Sequence, residues 1–323
     1  MFSGLPVQIH DSPDFSLVLP NAIYAVDGVF GLNHLPPAFL EALASSGPCG
    51  LLHEGDEFFR GPYSVYANFD FVIRSFPTPF LRSKGVLNMP CGYCNGVAPS
   101  EVLNASARPY LWSFTGQANA SRRQMTAVLG GVTPSFCHIV DAAKGERHIG
   151  RDRFLSLLSD SAFTPCPMGN VQLETARLYE ALEYGSIPLA SRRAGLEYFE
   201  RLFGPEHRIP VFRKWQDARV FMESMLENPA RLDALQREVM EWWAAAKKRQ
   251  IEDLRTFVNR GLTISYRHEL QRQFTGMTDL SIQPARFMDI LAMHDAAALA
   301  GRVGRVVDRY RRGVPRVTQR PPI

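Results

Sequence analysis

The chain has 323 residues, 46% hydrophobic and 21% charged, enough for two domains of ordinary size in a globular protein. Its formal charge is +4, but residues 301–323 carry seven arginines against one aspartate, so the rest stands at −2. This excludes a basic nucleic-acid-binding body and leaves only the tail, read as a solvated end or a weak contact with an anionic surface. No run approaches the ~20 apolar residues that span a bilayer, and five cysteines, an odd number, exclude a disulfide framework.

The first residues, MFSGLPVQIHDSPDF, lack a basic region followed by an apolar core, so no signal peptide is expected. As the sequence stands, a cytoplasmic location is expected; an ER or Golgi lumen would follow only from a missing N-terminal anchor. The Asn-Ala-Ser sequons at Asn104 and Asn119 would matter only in that second case.

Residues 1–110 alternate short apolar runs with turns. Strands are predicted at Phe15–Leu19, Cys49–His53, Phe69–Ser75 and Val86–Pro90, with a short helix at Pro37–Ala44. Strands interleaved with helical or turn segments predict a parallel α/β sheet, in which ligands bind beyond the carboxyl ends of the strands. His53, Asp56, Glu57 and Arg74 all sit at such ends. Asp56-Glu57 reads equally as a solvated acidic turn. Cys91-Gly92-Tyr93-Cys94 has the spacing of a redox pair, but Asn95-Gly96 and Pro99 disfavour the helix start such a site needs. No second such pair completes a zinc site, so a turn with two incidental thiols is expected.

Tyr110–Gly116 reads as a strand running into a glycine, followed by Ser121-Arg122-Arg123 and a helix over Gln124–Leu129. Strand, glycine and basic helix start form a phosphate-type geometry. Phe154–Leu158 reads as the end of a helix and Ala162–Pro165 as a short buried strand. Met168-Gly169-Asn170 is a turn, with Asn170 available as a cap. A helix is predicted over Leu173–Tyr184: Leu178, Ala181 and Leu182 fall on one arc, with Arg177 and Glu180 side by side at its edge. Gly185 ends it and Ile187-Pro188-Leu189 starts a strand. A glycine loop feeding a helix start is a second anion site, where Arg177 adds charge for a diphosphate and Glu180 can accept from ribose hydroxyls. The plainer alternative is an ordinary βαβ unit with a surface Arg–Glu pair. Downstream, Leu196–Phe203, Gln216–Leu226 and Leu232–Val258 read as helices and Ile209–Phe212 as a strand, with Trp242-Trp243 in a core.

The order Ser161-Ala162-Phe163, Pro167-Met168-Gly169, Thr175-Ala176-Arg177, Glu180-Ala181 and Gly185-Ser186-Ile187-Pro188-Leu189 resembles the nucleotide-sugar signature of exostosin-like glycosyltransferases, glycosyltransferase family 47. Thr175 stands for a serine and Leu189 for a valine of that pattern. The first half resembles, more loosely, the ribitol xylosyltransferase branch. That branch shows Leu-His-x-x-Asp-Glu, an Arg after a strand and Pro-x-Gly-Tyr. Here these are Leu52 to Glu57, Arg74 and Pro90 to Tyr93.

The resemblance implies an α/β fold of the GT-B type: two Rossmann-like lobes facing a cleft, the first short or reduced. The expected division is 1–109 for the acceptor-side lobe, 110–250 for the nucleotide-sugar lobe, and 251–323 for a C-terminal helix and basic tail. It implies an inverting transfer from a UDP-sugar to a glycan hydroxyl. Gly116, Arg122, Arg123, Gly169 and Arg177 would hold the diphosphate and Glu180 the ribose. Asp56 or Glu57 would be the base, with His53 and Arg74 on the acceptor side. No aspartates lie two apart, so no Asp-x-Asp pair is available to hold a metal, and none is expected. His53 with Glu57 is the competing metal-ligand arrangement. Two other functions compete: a non-catalytic exostosin-like subunit that binds glycan or a partner, and a dehydrogenase, which would require a GxGxxG after the first strand that the chain lacks.

Overall fold

The computed structural model describes residues 18–27, 32–57, 62–78, 81–92, 99, 101–141, 147–169, 172–192 and 197–277. The strand predicted from Phe15 begins outside these residues, and Val18 and Leu19 carry none. Tyr93, Cys94, Asn170, Leu196 and the arginine-rich tail also lie outside them.

The first lobe is built from β1 (Ile23–Asp27), α1 (Pro37–Ser45), β2 (Gly50–Glu54), β3 (Phe71–Ser75) and β4 (Val86–Met89). Its four strands are parallel in the order β1-β2-β3-β4. β3 is buried along its whole length, as a strand covered on both faces must be: Phe71-Val72-Ile73 is apolar, and Arg74 and Ser75 are buried beyond it. The Phe71 ring lies against two glycines. A Cβ on Gly50 of β2 would come within 2.2 Å of the ring, and one on Gly261 within 2.3 Å.

The second lobe contains β5 (Tyr110–Gln117), α2 (Ala120–Leu129), β6 (Ser135–Val140), α3 (Arg151–Ser159), β7 (Ser161–Cys166), α4 (Ala176–Glu183), β8 (Ile187–Ser191), α5 (Tyr198–Phe203), β9 (Val211–Phe212) and α6 (Trp215–Leu226). Its sheet is also parallel, in the order β6-β5-β7-β8-β9. The chain steps from β5 outward to β6, then returns to β7 on the other side of β5. Strand order therefore reverses between β5 and β7, and the helices leaving these strands diverge to open a crevice at their carboxyl ends.

One helix serves both lobes. α7 (Pro229–Ile264) has 36 residues and spans about 54 Å at 1.5 Å per residue. Pro229 sits in its first turn and the Asn228 side chain accepts from the Arg231 N–H. Leu232, Val239, Trp242, Trp243 and Ala246 pack into the second-lobe core, as expected for the two tryptophans. Leu254 and Val258 pack instead against β2 and β3 residues of the first lobe. α8 (Arg267–Phe274) then closes the first lobe, with Leu270 and Phe274 inside its core. The boundary expected at 250 thus falls within α7, and residues 251–277 pack against the first lobe. No helix among the described residues is long and apolar enough to cross a membrane.

Candidate functional site at the switch point

A cavity of about 360 Å³ opens at the carboxyl end of β5. It is lined by Thr115, Gly116 and Gln117 from β5, Arg122 from α2, His148, Ile149 and Phe154 from the approach to α3 and its first turn, and Arg177 from α4. It lies beside the strand-order reversal, and two of its eight lining residues are arginines.

The helix start that carries Arg122 is well made. α2 begins at Ala120, four residues before the expected start, with Asn119 as its N-cap. The Asn119 carbonyl oxygen accepts from the Arg122 N–H at 2.9 Å, and its amide nitrogen donates to the Gly169 carbonyl at 3.3 Å. One asparagine therefore caps α2 and ties it to the Gly169 turn, which commits the side chain of that sequon to the site. Arg122 also donates to the Gln117 carbonyl at 2.9 Å, curling back over the end of β5.

Arg177 reaches the cavity from the other side. Its guanidinium lies 4.4 Å from the centre of the Phe114 ring and donates to the Thr115 carbonyl. A Cβ on Gly116 would sit 3.1 Å from Arg177 Nη2, so the absence of a side chain there lets the guanidinium lie against β5. Burial pushes the Arg177 pKa down to about 10, with Arg122 lowering it further and Cys166 and Glu180 opposing. Burial also lowers that of Arg122, against the nearby Glu57 charge. Two guanidiniums held this close, partly out of water, form an anion site that a bound negative charge would relieve.

The other predicted residues divide. Arg123 points away, its side chain 63% exposed and 3.6 Å from Asp141, and does not line the cavity. At the predicted turn the Gly169 N–H donates to the Gln172 carbonyl. α4 starts only at Ala176, with Thr175 at the N-cap position making no side-chain cap bond, so the glycine turn does not feed the helix directly as expected. Glu180, expected at the edge of the arc, is 4% exposed.

Glu57 crosses from the first lobe to this turn. A Cβ on Gly169 would fall 2.6 Å from Glu57 Oε1, and Gln172 donates to the Glu57 carbonyl at 2.8 Å. Asp56 turns the opposite way. It is 1% exposed, accepts from the Tyr63 hydroxyl, and lies 3.8 Å from Arg74, which is fully buried. Arg74 also stands 5.5 Å from the centre of the Tyr63 ring and donates to the Ser75 carbonyl. His53, 1% exposed, pairs with the Tyr66 hydroxyl at 2.7 Å. The first-lobe residues expected to act together are therefore separated: Glu57 faces the second lobe, while Asp56, Arg74 and His53 lie in internal contacts.

The sequence reading missed His148, Ile149 and Phe154. A histidine and an isoleucine before a helix carry no spacing signal, and only the sheet order brings them to β5. It also missed Glu174, which sits 1% exposed among aromatic residues and whose sequence setting resembles an exposed acidic residue before a helix.

The protein-family model described as the RXYLT1 C-terminal domain matches residues 93–259. The chain belongs to that family. The RXYLT1 C-terminal match covers the second lobe and most of α7, so it includes Gly116, Arg122, Gly169, Arg177 and Glu180 but not Glu57. Among solved structures, an alpha1,3-fucosyltransferase aligns over 81% of this chain and 95% of its own, at 11% identity and a TM-score of 0.44. TarM aligns over 65% of this chain, at 9% identity and a TM-score of 0.40; the chain spans 54% of TarM's length. No curated protein matches by sequence. The chain has two α/β lobes with parallel sheets, the plan expected of the GT-B type, and by family it is a glycosyltransferase.

Proposed function

We propose that the chain transfers a sugar from a UDP-sugar to a hydroxyl of a glycan acceptor, with inversion at the anomeric carbon. The observation that carries this reading is the pair Arg122 and Arg177 lining one cavity around Gly116, at the reversal of strand order. The diphosphate lies between the two guanidiniums and near the α2 N-terminus, whose dipole favours the same negative charge. Glu180, one turn beyond Arg177, accepts from the ribose hydroxyls. Thr115, His148 and Ile149 bound the rest of the nucleotide.

Glu57 is the base. It stands on the first-lobe side of the Gly169 turn, with its charge felt by Arg122 across the cleft. An inverting displacement needs both kinds of group: a carboxylate takes the acceptor proton as the hydroxyl attacks, and cationic groups receive the departing diphosphate. Asp56 and Arg74 serve by fixing the loop from which Glu57 projects. Charge neutralisation by arginine makes a divalent metal unnecessary, so turnover is expected to persist in excess EDTA.

A panel of UDP-sugars tests the proposal by UDP release with and without glycan acceptors. Release from at least one donor, insensitive to EDTA and stimulated by an acceptor, is the expected result. Loss of activity in EDTA that returns with Mn²⁺ would remove the metal-independent step. The inward turn of Asp56 and Arg74 favours one alternative, a non-catalytic subunit that binds glycan or a partner. Binding of UDP-sugar without release, with every acceptor, would select it.

A further inference from the structure

Glu174 lies between β7 and α4, outside the cavity, and the proposed transfer does not use it. Its carboxyl nonetheless accepts hydrogen bonds from both lobes. From the second lobe it accepts from the Tyr179 hydroxyl on α4 and from the Tyr198 hydroxyl on α5, the latter at 2.8 Å. From the first lobe it accepts from the Cys91 N–H at 3.4 Å, just beyond β4, and from the backbone of Phe76, just beyond β3. The carboxyl thus draws donors from both lobes.

The two first-lobe donors are specific places. Phe76 takes a left-handed backbone conformation, φ +61°, which a bulky residue adopts only when its surroundings hold it. Its side chain, with that of Cys91, packs into the second-lobe core. Two residues before Glu174, Gln172 makes the bond to the Glu57 carbonyl. The segment 172–174 thus carries both the bonds that join the lobes here and the bond that places Glu57 against the Gly169 turn.

We propose that Glu174 is a positioning residue, a latch that registers the first lobe on the second and thereby sets Glu57 against the Gly169 turn. Its catalytic consequence rests on the transferase reading; the latch itself does not.

The latch is sensitive to protons. Burial raises the Glu174 carboxyl from its ordinary 4.5 to about 7, and its hydrogen bonds offset only part of that rise. The groups facing it are Tyr179, Tyr198 and the Cys91 thiol, with Arg74 acting on Tyr198 from β3. Both tyrosines are held well above their usual range, chiefly by burial, so they stay protonated donors. The latched state therefore binds a proton more tightly than an opened state in which the carboxyl meets water. Latching is strongest below about pH 4.5, weakens as pH rises toward about 7, and changes little above it.

Amide hydrogen exchange on the full chain tests this, read at Phe76 and at β2 and corrected for the intrinsic pH dependence of exchange. In the wild type, protection at Phe76 falls at least tenfold between pH 5 and pH 7 and then levels, while β2 stays flat. Glu174→Gln, neutral at every pH, abolishes the pH dependence. Glu174→Ala lowers protection at Phe76 throughout, again without β2. Tyr198→Phe keeps the ring, removes one bond that favours the charged form, and extends the fall to higher pH. It reads the same carboxyl if the other variants do not fold. Protection at Phe76 that tracks β2 at every pH in the wild type, or that Tyr198→Phe leaves unmoved, overturns the proposal. Exchange needs no substrate, so UDP-sugar binding, measured separately, decides the transferase reading on its own.

Discussion

Two carboxylates adjacent in sequence have opposite surroundings, and their substitution separates them. Glu57→Gln removes a base at the Gly169 turn, so turnover is expected to fall by roughly 10²–10⁴ with UDP affinity and melting temperature unchanged. Asp56→Asn removes the carboxylate charge that faces the buried Arg74 guanidinium at 3.8 Å. That change is expected to cost stability, about 3–5 kcal/mol for a fully broken buried pair, read as a fall in melting temperature. If the roles are reversed, Asp56→Asn will fold normally and lose only turnover. The arginines divide in the same way. Arg177→Gln is expected to weaken UDP binding by roughly 1.5–3 kcal/mol, the worth of a charge-assisted hydrogen bond, whereas Arg123→Gln leaves it within a factor of about two. Equal losses in calorimetry would mean that the diphosphate does not sit where the cavity is.

The elements most open to reading were those buried on both faces. β2, β3, β5 and β7 are flanked by other strands, and short apolar stretches within them, such as Leu51-Leu52 and Phe71-Val72-Ile73, announce them. β1 and β6 lie at sheet edges, are only partly buried, and mix polar with apolar residues, so neither was predicted. α2 was read too short because its first turn carries Ser121, Arg122 and Arg123, polar and partly exposed; its cap at Asn119 was the missed signal. α7 was legible as a long helix, but not its passage between lobes. Periodicity gives the apolar stripe and not the surface it meets. Gly261 marks that passage. On helix propensity alone, Gly261→Ala stabilises by about 1 kcal/mol. The new methyl would meet the Phe71 ring at 2.3 Å, so a net destabilisation of about 1–3 kcal/mol is expected. A raised melting temperature would show that α7 does not pack on β3 as described.

At the scale of the whole molecule, the first lobe is completed by chain that returns from the second. Asp70 collects the Cys49 N–H at 2.8 Å, the Arg267 guanidinium at 2.6 Å and the Ser265 hydroxyl, fastening α8 to the four-stranded sheet. Leu270 and Phe274 are fully buried there. A chain ending at Ile264 is therefore expected to lose the first-lobe fold while retaining the second. Limited proteolysis would show this as loss of protection in residues 23–89 alone. Uniform protection would mean that the first lobe is self-sufficient. The parallel α/β sheet was legible from alternating strands and helices, and the two-lobe plan from the family resemblance. The site was legible only in part, because sequence spacing marked the β5 and β7 loops without revealing which neighbouring side chains turn inward.

The central claim is that the cavity at the β5–β7 reversal holds the diphosphate of a UDP-sugar between Arg122 and Arg177. Isothermal titration with UDP, comparing the wild type with the Arg122→Gln and Arg177→Gln variants, tests it most directly. The account predicts saturable binding by the wild type and at least tenfold weaker binding by each folded variant. Binding that both variants retain at full strength, or no binding of UDP by the wild type, would contradict it.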